Sequence, residues 1–390
     1  MPMSFPADRA EKRQVLLQAV EQVRGTLAAQ IDQAEEARTL PDASVVALRE
    51  AGLFRLKLPA ELGGAEADPV TQLEVIEAVT RINPSAGWCM FIGAAIVGMA
   101  GAFLPDETIA SVFPQGRVPT MAGGLMPGRA VPEQGGYRVT GRWSWGSGIR
   151  HAEWVLVQTL VERGSQTPEV RAVVFPVAQA QVIDNWHVLG MKGTGSCDYA
   201  VADLFVPEAF TFAVGSTPPQ RGGPLYLMGW PGYVANEHAA FALGIARCAL
   251  DAIIELAQSK KRGYGPQRRL SDRAVIQRMI AQADLRLRGT RLVVIDILEK
   301  AWQTASAGQL PGPALQAEMR SVAALATDIA LEITTKAFRA GAGSAVRLEH
   351  VLQRCLRDLH TAAAHLMVND SAYENYGQFL LGLPDVDPMR

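Results

Sequence analysis

The sequence predicts an α+β protein in three successive parts: an N-terminal α-helical domain over residues 1–116, a middle antiparallel β-barrel or sandwich domain over 117–216, and a C-terminal four-helix bundle domain over 217–390. Three observations predict it. Up to about Pro105 the apolar residues recur at the three- and four-residue spacing of helices. Between Pro119 and about Phe212 that periodicity gives way to short β-type runs separated by Gly and Pro. From Ala235 onwards long amphipathic helical patterns return with short connections, as in a bundle.

Taken in order, the first helix is expected over 11–36, where Val15, Leu16, Val20, Val23, Leu27 and Ile31 share one face and charges occupy the other. A second, over 42–51, opens on Asp42, suited to N-capping, and stops at Gly52. Residues 53–59 lead into a loop at Gly63-Gly64. Two more helices follow over 68–81 and 85–103. The apolar run 88–104 is rich in Gly and Ala and too short for a membrane span, so a buried helix is expected. The β runs are 137–145, 154–160, 170–176 and 199–206, and a Pro/Gly-rich connector covers 217–232. The bundle helices are expected over 237–260, 272–305, 313–339 and 347–367.

Composition narrows the class. A chain of 390 residues with 48% hydrophobic and 19% charged content has room for two or three domains and a large core. A formal charge of -2 with no basic patch argues against nucleic acid as a partner. Cys89, Cys197, Cys248 and Cys355 stand far apart without a CxxC pair, which fits neither a disulfide framework nor a metal site. The polar N-terminus has no apolar core of the signal-peptide type, so a cytoplasmic protein away from membranes is expected. No Gly-x-Gly-x-x-Gly follows a strand and no Walker loop is present, so nucleotide-binding folds of those kinds have no support.

Two segments carry candidate chemistry. Residues 135–148 alternate like a strand through Gly141 and end in Trp143, Trp145 and Ser147. Trp145 and Ser147 lie two apart and are expected on one strand face, an indole wall beside a hydroxyl. That pattern suits a flat, partly polar ring such as a flavin, and equally suits a hairpin with an aromatic core plug. Gly190 to Ser196 is Gly-rich but precedes a strand, so it has no helix amides for a phosphate. Its backbone and the Thr194 and Ser196 hydroxyls either line a ligand or form a plain loop.

With these pieces in place the chain resembles the acyl-CoA dehydrogenase superfamily over nearly its whole length. The markers stand in order: Leu48-Arg49-Glu50-Ala51-Gly52-Leu53 with Pro59 and Gly63-Gly64; Gly136 to Ser147; Gly190 to Ser196, followed by Asp203-Leu204-Phe205-Val206-Pro207; Gly244 to Leu250; Arg262-Gly263-Tyr264-Gly265; and Arg357-Asp358. In that family a helical domain, a β domain and a four-helix bundle surround a flavin. Its dehydrogenases carry a Tyr-Glu-Gly step after the Arg-Asp pair, whose Glu removes the substrate α-proton. Here the stretch reads Ala363-Ala364-His365-Leu366-Met367. That departure resembles the oxygenase components of two-component flavin-dependent monooxygenases.

The resemblance implies an enzyme that takes reduced FMN or FAD from a separate NAD(P)H-dependent reductase. It adds O2 through a hydroperoxyflavin and oxygenates a small aromatic or heteroatom-containing substrate. His365 and Ser147 are then the catalytic candidates. Trp145, Ser147, Thr194, Gly195, Ser196, Arg262, Arg357 and Asp358 are the cofactor-binding candidates, with Lys192 a further choice for phosphate charge. Arg354, Asp358, Thr361 and His365 recur at spacings expected on one helix face. Arg150 and His151 fit either a ligand contact or the surface, and His360 points elsewhere. The stretch 91–97 is apolar where related aromatic hydroxylases carry a substrate-facing His. The resemblance also implies a homotetramer. Two readings compete: an acyl-CoA dehydrogenase-type FAD oxidoreductase with a displaced base, Glu237 or Glu374, and a degenerate flavin-binding assembly partner.

Overall fold

Helix α1, Arg9–Ala29, starts where the Asp8 carboxylate accepts from the Glu11 amide at 2.9 Å and buries Leu16, Val20, Val23 and Leu27. The structure, a computed structural model, describes residues 4–161, 169–262, 268–384 and 386–387, Arg262 without its side chain. The single helix expected over 11–36 is broken at Gln30, and α2, Ile31–Ala37, follows. Helix α3, Asp42–Glu50, is preceded by Pro41 and has no side-chain cap, so Asp42 is its first residue rather than its cap. There its charge still complements the helix dipole.

The elements assort into two compact units. The first comprises Met1–Asp68, Ser85–Val188 and Lys192–Tyr226; the second comprises Pro69–Pro84, Leu189–Met191 and Leu227–Arg390. Helix α4, Pro69–Ile82, therefore belongs to the second unit, whereas α5, Pro84–Phe103, and α6, Asp106–Val112, belong essentially to the first. Helix α5 is the apolar helix anticipated from sequence, and it is a buried one.

The sheet of the first unit contains β1 Met121–Glu133, β2 Gly136–Gly146, β3 Trp154–Val161, β4 Glu169–Pro176, β5 Gln181–Ile183, β6 Cys197–Pro207 and β7 Thr211–Ala213, in the order β5-β6-β2-β1-β3-β4-β7. It is mixed rather than wholly antiparallel, because β1 runs parallel to β3 while pairing antiparallel with β2. Trp143 organises its core: fully buried, it stacks on Tyr199 at 5.7 Å and donates from Nε1 to the Gln158 carbonyl at 3.0 Å. Glycines on β1 make room for it. A Cβ at Gly124 or Gly128 would come within 2.7 or 2.6 Å of the Trp143 side chain. Gly124 and Gly128 of β1 are thus a packing requirement, and they hid the strand's alternation from the sequence.

In the second unit α7 Gly229–Ser259, α8 Ala274–Ser306, α9 Pro313–Gly341 and α10 Val351–Ala362 form the long helices. The ribbon β8 Lys261–Arg262 with β9 Arg268–Arg269 follows α7, and α11, Ser371–Leu380, closes the chain. Helix α7 begins two turns ahead of residue 237. Pro231 lies in its first turn, where no backbone donor is lost, so the expected Pro/Gly connector is partly helix. Helix α4 is tied to the bundle by Arg291, whose Nε donates to Glu77 at 2.9 Å and Nη2 to Glu74 at 3.2 Å. Burial raises the Glu77 carboxyl to about 7 against the opposing pull of Arg291. Helix α10 stops at Ala362, short of the expected 367.

Candidate active site

At the end of β2 the strand alternation fails. Its pairing with β6 shifts register between Trp143 and Gly146, and Trp145 takes a left-handed backbone, φ 63°. That conformation is uncommon for a bulky residue and marks a constrained site. Trp145 is 63% exposed, whereas Ser147, just past the strand, is 6% exposed. The shared strand face expected for these two residues is therefore not formed; the bulge sends the indole out and the hydroxyl in.

Ser147 joins a chain of hydroxyls. Its Oγ accepts from Trp88 Nε1 on α5 at 2.9 Å and lies 2.9 Å from Ser196 Oγ, which is 2.7 Å from Thr194 Oγ1. The Thr194 carbonyl accepts from the Gly148 amide at 2.9 Å and from the Cys89 thiol at 3.6 Å. Gly195 sits at φ 54°, and a Cβ there would meet the Arg38 carbonyl at 2.8 Å. So 147 and 194–196, candidates from two separate motifs, converge. Trp88 is the member that sequence reasoning left out; an indole inside an apolar helix gives no signal that its N–H serves a serine. An exposed indole offers a stacking face, and the hydroxyls beside it on the chain offer small neutral polar groups. The donor set fits a flat ring with a polar edge, such as a flavin.

Arg150 and His151 are drawn elsewhere. Arg150 donates to Asp184, which Arg38 also binds, and these two guanidinium groups hold the Asp184 carboxyl far below its usual range. His151 is half-buried beside Gly148, and burial lowers it to about 4.

In the second unit α10 holds the segment 189–191. The Asp358 carboxylate accepts from the Met191 amide at 2.6 Å, Thr361 Oγ1 accepts from the Gly190 amide at 3.0 Å, and Arg357 Nη1 donates to the Leu189 carbonyl at 2.8 Å. Gly190 is required there, since a Cβ would sit 2.1 Å from the Arg357 carbonyl oxygen. Arg357 and Asp358, expected as cofactor contacts, thus direct these groups at peptide backbone.

His365 does not continue the face of Arg354, Asp358 and Thr361, because α10 has already ended. It caps a short helical turn, Leu366–Val368, with Nδ1 accepting from the Met367 amide at 3.2 Å. An imidazole with Nδ1 so engaged is neutral with its proton on Nε2. Burial lowers its pKa to about 4, which agrees with a neutral ring at pH 7. Its ring stacks on His238 of α7, centroids 4.3 Å apart. Of the alternative bases, Glu237 is buried within α7 and Glu374 is exposed on α11. Arg262 lies on β8 with its side chain outside the described residues, as are Gly263, Tyr264 and Gly265 of the same marker.

Residues 9–105 match the model of the acyl-CoA dehydrogenase N-terminal domain, and residues 237–370 match that of the acyl-CoA dehydrogenase C-terminal domain. The chain is 30% identical to indole-3-acetate monooxygenase of Pseudomonas putida, over 86% of each chain. It is 26% identical to the oxygenase component of the FADH2-dependent resorcinol hydroxylase of a Rhizobium species, over 90% of each. The crystal structure of 3-HSA hydroxylase from Rhodococcus sp. RHA1 superposes with a TM-score of 0.89 at 26% identity, covering 96% of this chain and 99% of that one.

Proposed function

This chain belongs to the flavin-dependent monooxygenases of the acyl-CoA dehydrogenase superfamily, and we propose on that premise that it is the oxygenase component of a two-component system acting on a small aromatic substrate. The substrate class is supported by relatives named for indole-3-acetate and resorcinol. A separate NAD(P)H-dependent reductase supplies the reduced flavin, and FADH2 is the form favoured by the resorcinol hydroxylase's name. When bound, the flavin supplies two electrons to dioxygen, so that one oxygen atom reaches the substrate.

The observation that carries this reading is the turn after α10. Between Asp358 and Asp370 the chain has no carboxylate, and it presents the neutral imidazole of His365 instead. A dehydrogenase needs a base for a carbon acid at this point; an oxygenase needs a group that holds and returns a proton to oxygen. His365 Nε2–H meets such an oxygen as a neutral hydrogen-bond donor. Trp145 packs on the ring face, and Ser147 with Thr194, Gly195 and Ser196 meets its polar edge. Arg262 is the candidate for the flavin phosphate charge. The exposed Leu285, Leu292 and Val293 of α8 favour association of copies, in keeping with a homotetramer. The four free thiols favour the cytoplasm.

Anaerobic addition of FADH2 followed by oxygen tests the reading. The protein is expected to slow flavin reoxidation and, with an aromatic substrate present, to lower the yield of hydrogen peroxide per flavin. Reoxidation at the rate of free flavin, or flavin reduction by an acyl-CoA, would reject it.

A further inference from the structure

Cys248 and Cys355 are far apart in the sequence and have no part in the reading above, yet the fold brings their thiols into a hydrogen bond. Cys248 stands on α7 and Cys355 on α10, helices that pack on one another within the second unit. Cys355 is 1% exposed and Cys248 is half-buried, so of the two it is Cys248 that an oxidant in solution reaches.

Their surroundings separate the pair further. The Cys355 S–H donates to Cys248 and, with the guanidinium groups of Arg81 on α4 and Arg354 on α10, holds the Cys248 thiol below its ordinary value. Burial and Asp251 oppose this, but Asp251 is itself bound by Arg81 at 3.0 Å and by Arg247 Nε at 2.9 Å. Cys355 is pushed the other way by the hydrogen bond it gives, by burial and by the charges of Cys248 and Asp358. A solvent-reached thiol favoured as thiolate, with a second thiol against it, is the arrangement that reacts with peroxide and closes to a disulfide. Cys89 and Cys197 are different, at 2% and 0% exposure. The Cys89 S–H donates to the Thr194 carbonyl, and burial pushes that thiol far up.

We propose that Cys248 and Cys355 are a peroxide-responsive dithiol: hydrogen peroxide oxidises Cys248, and Cys355 closes the pair to a disulfide that ties α7 to α10. The Cys248 sulfur attacks one peroxide oxygen and breaks the O–O bond, giving the sulfenic acid and, with one proton, water. The Cys355 sulfur then attacks the sulfenic sulfur; the S–S bond forms, the S–O bond breaks, and the hydroxyl leaves with the Cys355 proton as a second water. Two thiols thus give two electrons to one peroxide. Flavin reoxidation that is not coupled to substrate releases this oxidant, a clause that rests on the reading above. The bond lies one turn before Asp358, which holds the Met191 amide, and a dithiol reductant reverses it.

Full-length protein without flavin, treated with hydrogen peroxide and digested without reductant, tests the pair. The wild type should lose two of its four free thiols, yield a linked peptide pair carrying 248 and 355, and regain both thiols with dithiothreitol. Cys355→Ser should stop at a sulfenic acid on Cys248 that dimedone traps, and Cys248→Ser should lose no thiol at the same peroxide concentration. The oxidised wild type should unfold at a higher urea concentration than the reduced protein, a shift absent from both variants. The peroxide is added and flavin is absent, so these outcomes do not depend on the oxygenase activity. Four intact thiols, oxidation that falls first on Cys89 or Cys197, or a wild-type sulfenic acid that never closes would overturn the proposal.

Discussion

The end of β2 and the turn after α10 handle polar side chains in opposite ways. At the first, Trp88, Ser147, Ser196 and Thr194 satisfy one another through neutral hydrogen bonds, with Ser147, Ser196 and Thr194 at 6%, 3% and 0% exposure. Nothing in that chain titrates near neutral pH. At the second, two imidazoles stack with centroids 4.3 Å apart, and a backbone amide holds His365 in its neutral form. The difference teaches a division of labour: a fixed set of neutral hydroxyls suits holding a ring edge, whereas a neutral imidazole suits presenting an N–H to a reacting oxygen. Variants that lose affinity for flavin should cluster in the first region and variants that lose rate in the second.

The largest expected effect is on rate. His365→Ala should lower substrate oxygenation by about 10²–10³-fold, the range for losing one hydrogen-bond donor to a reacting oxygen, with reduced-flavin affinity nearly unchanged in a titration. Loss of flavin affinity with the rate per bound flavin intact would break the comparison.

Next is the strand itself. Trp143→Ala should cost about 3–5 kcal/mol in urea unfolding, the range for emptying a buried aromatic site. Trp145→Ala, two residues on, should stay within about 0.5 kcal/mol because its indole is exposed, yet weaken reduced-flavin binding. Equal losses of stability in both would mean that Trp145 is part of the core.

These two tryptophans also show what the sequence could and could not convey. The order of helices, sheet and helices was legible because each periodicity runs over many residues. Alternation alone cannot reveal a bulge, so Trp145 and Ser147 read as neighbours on one face until the backbone at φ 63° separated them. Strand β1 was obscured by Gly124 and Gly128, whose smallness answers to Trp143 from another strand. The end of α10 was invisible because Ala362, Ala363 and Ala364 are all good helix formers. Ser147, Thr194 and Ser196 were legible as candidates, and their convergence was not. Trp88 and His238 gave no local sign, since each acquires a partner only through tertiary contact.

The two regions differ last in pH dependence. His365 and His151 both fall from the ordinary 6.5 to about 4 through burial. Between those values these two histidines bind more protons in the unfolded chain than in the folded one, while Glu77, raised to about 7, holds its proton in the folded chain and opposes them. The histidines' contribution is therefore complete above about pH 6.5 and lost as pH falls toward about 4, by at most about 1.4 kcal/mol per pH unit for each group, and Glu77 offsets one group's share between about 4.5 and 7. Urea midpoints measured across this window should show that slope. His365→Phe should remove one group's share, and Ser147→Ala should leave the slope as it is. A slope unaffected by His365→Phe would place the titration elsewhere.

The most direct measurement is the fate of dioxygen. The protein is supplied with FADH2, a small aromatic substrate and dioxygen carrying heavy oxygen, and the product is weighed by mass spectrometry. A monooxygenase places one labelled atom in the product and returns the other as water. Product carrying oxygen only from water, or flavin that is instead reduced by an acyl-CoA, would contradict it.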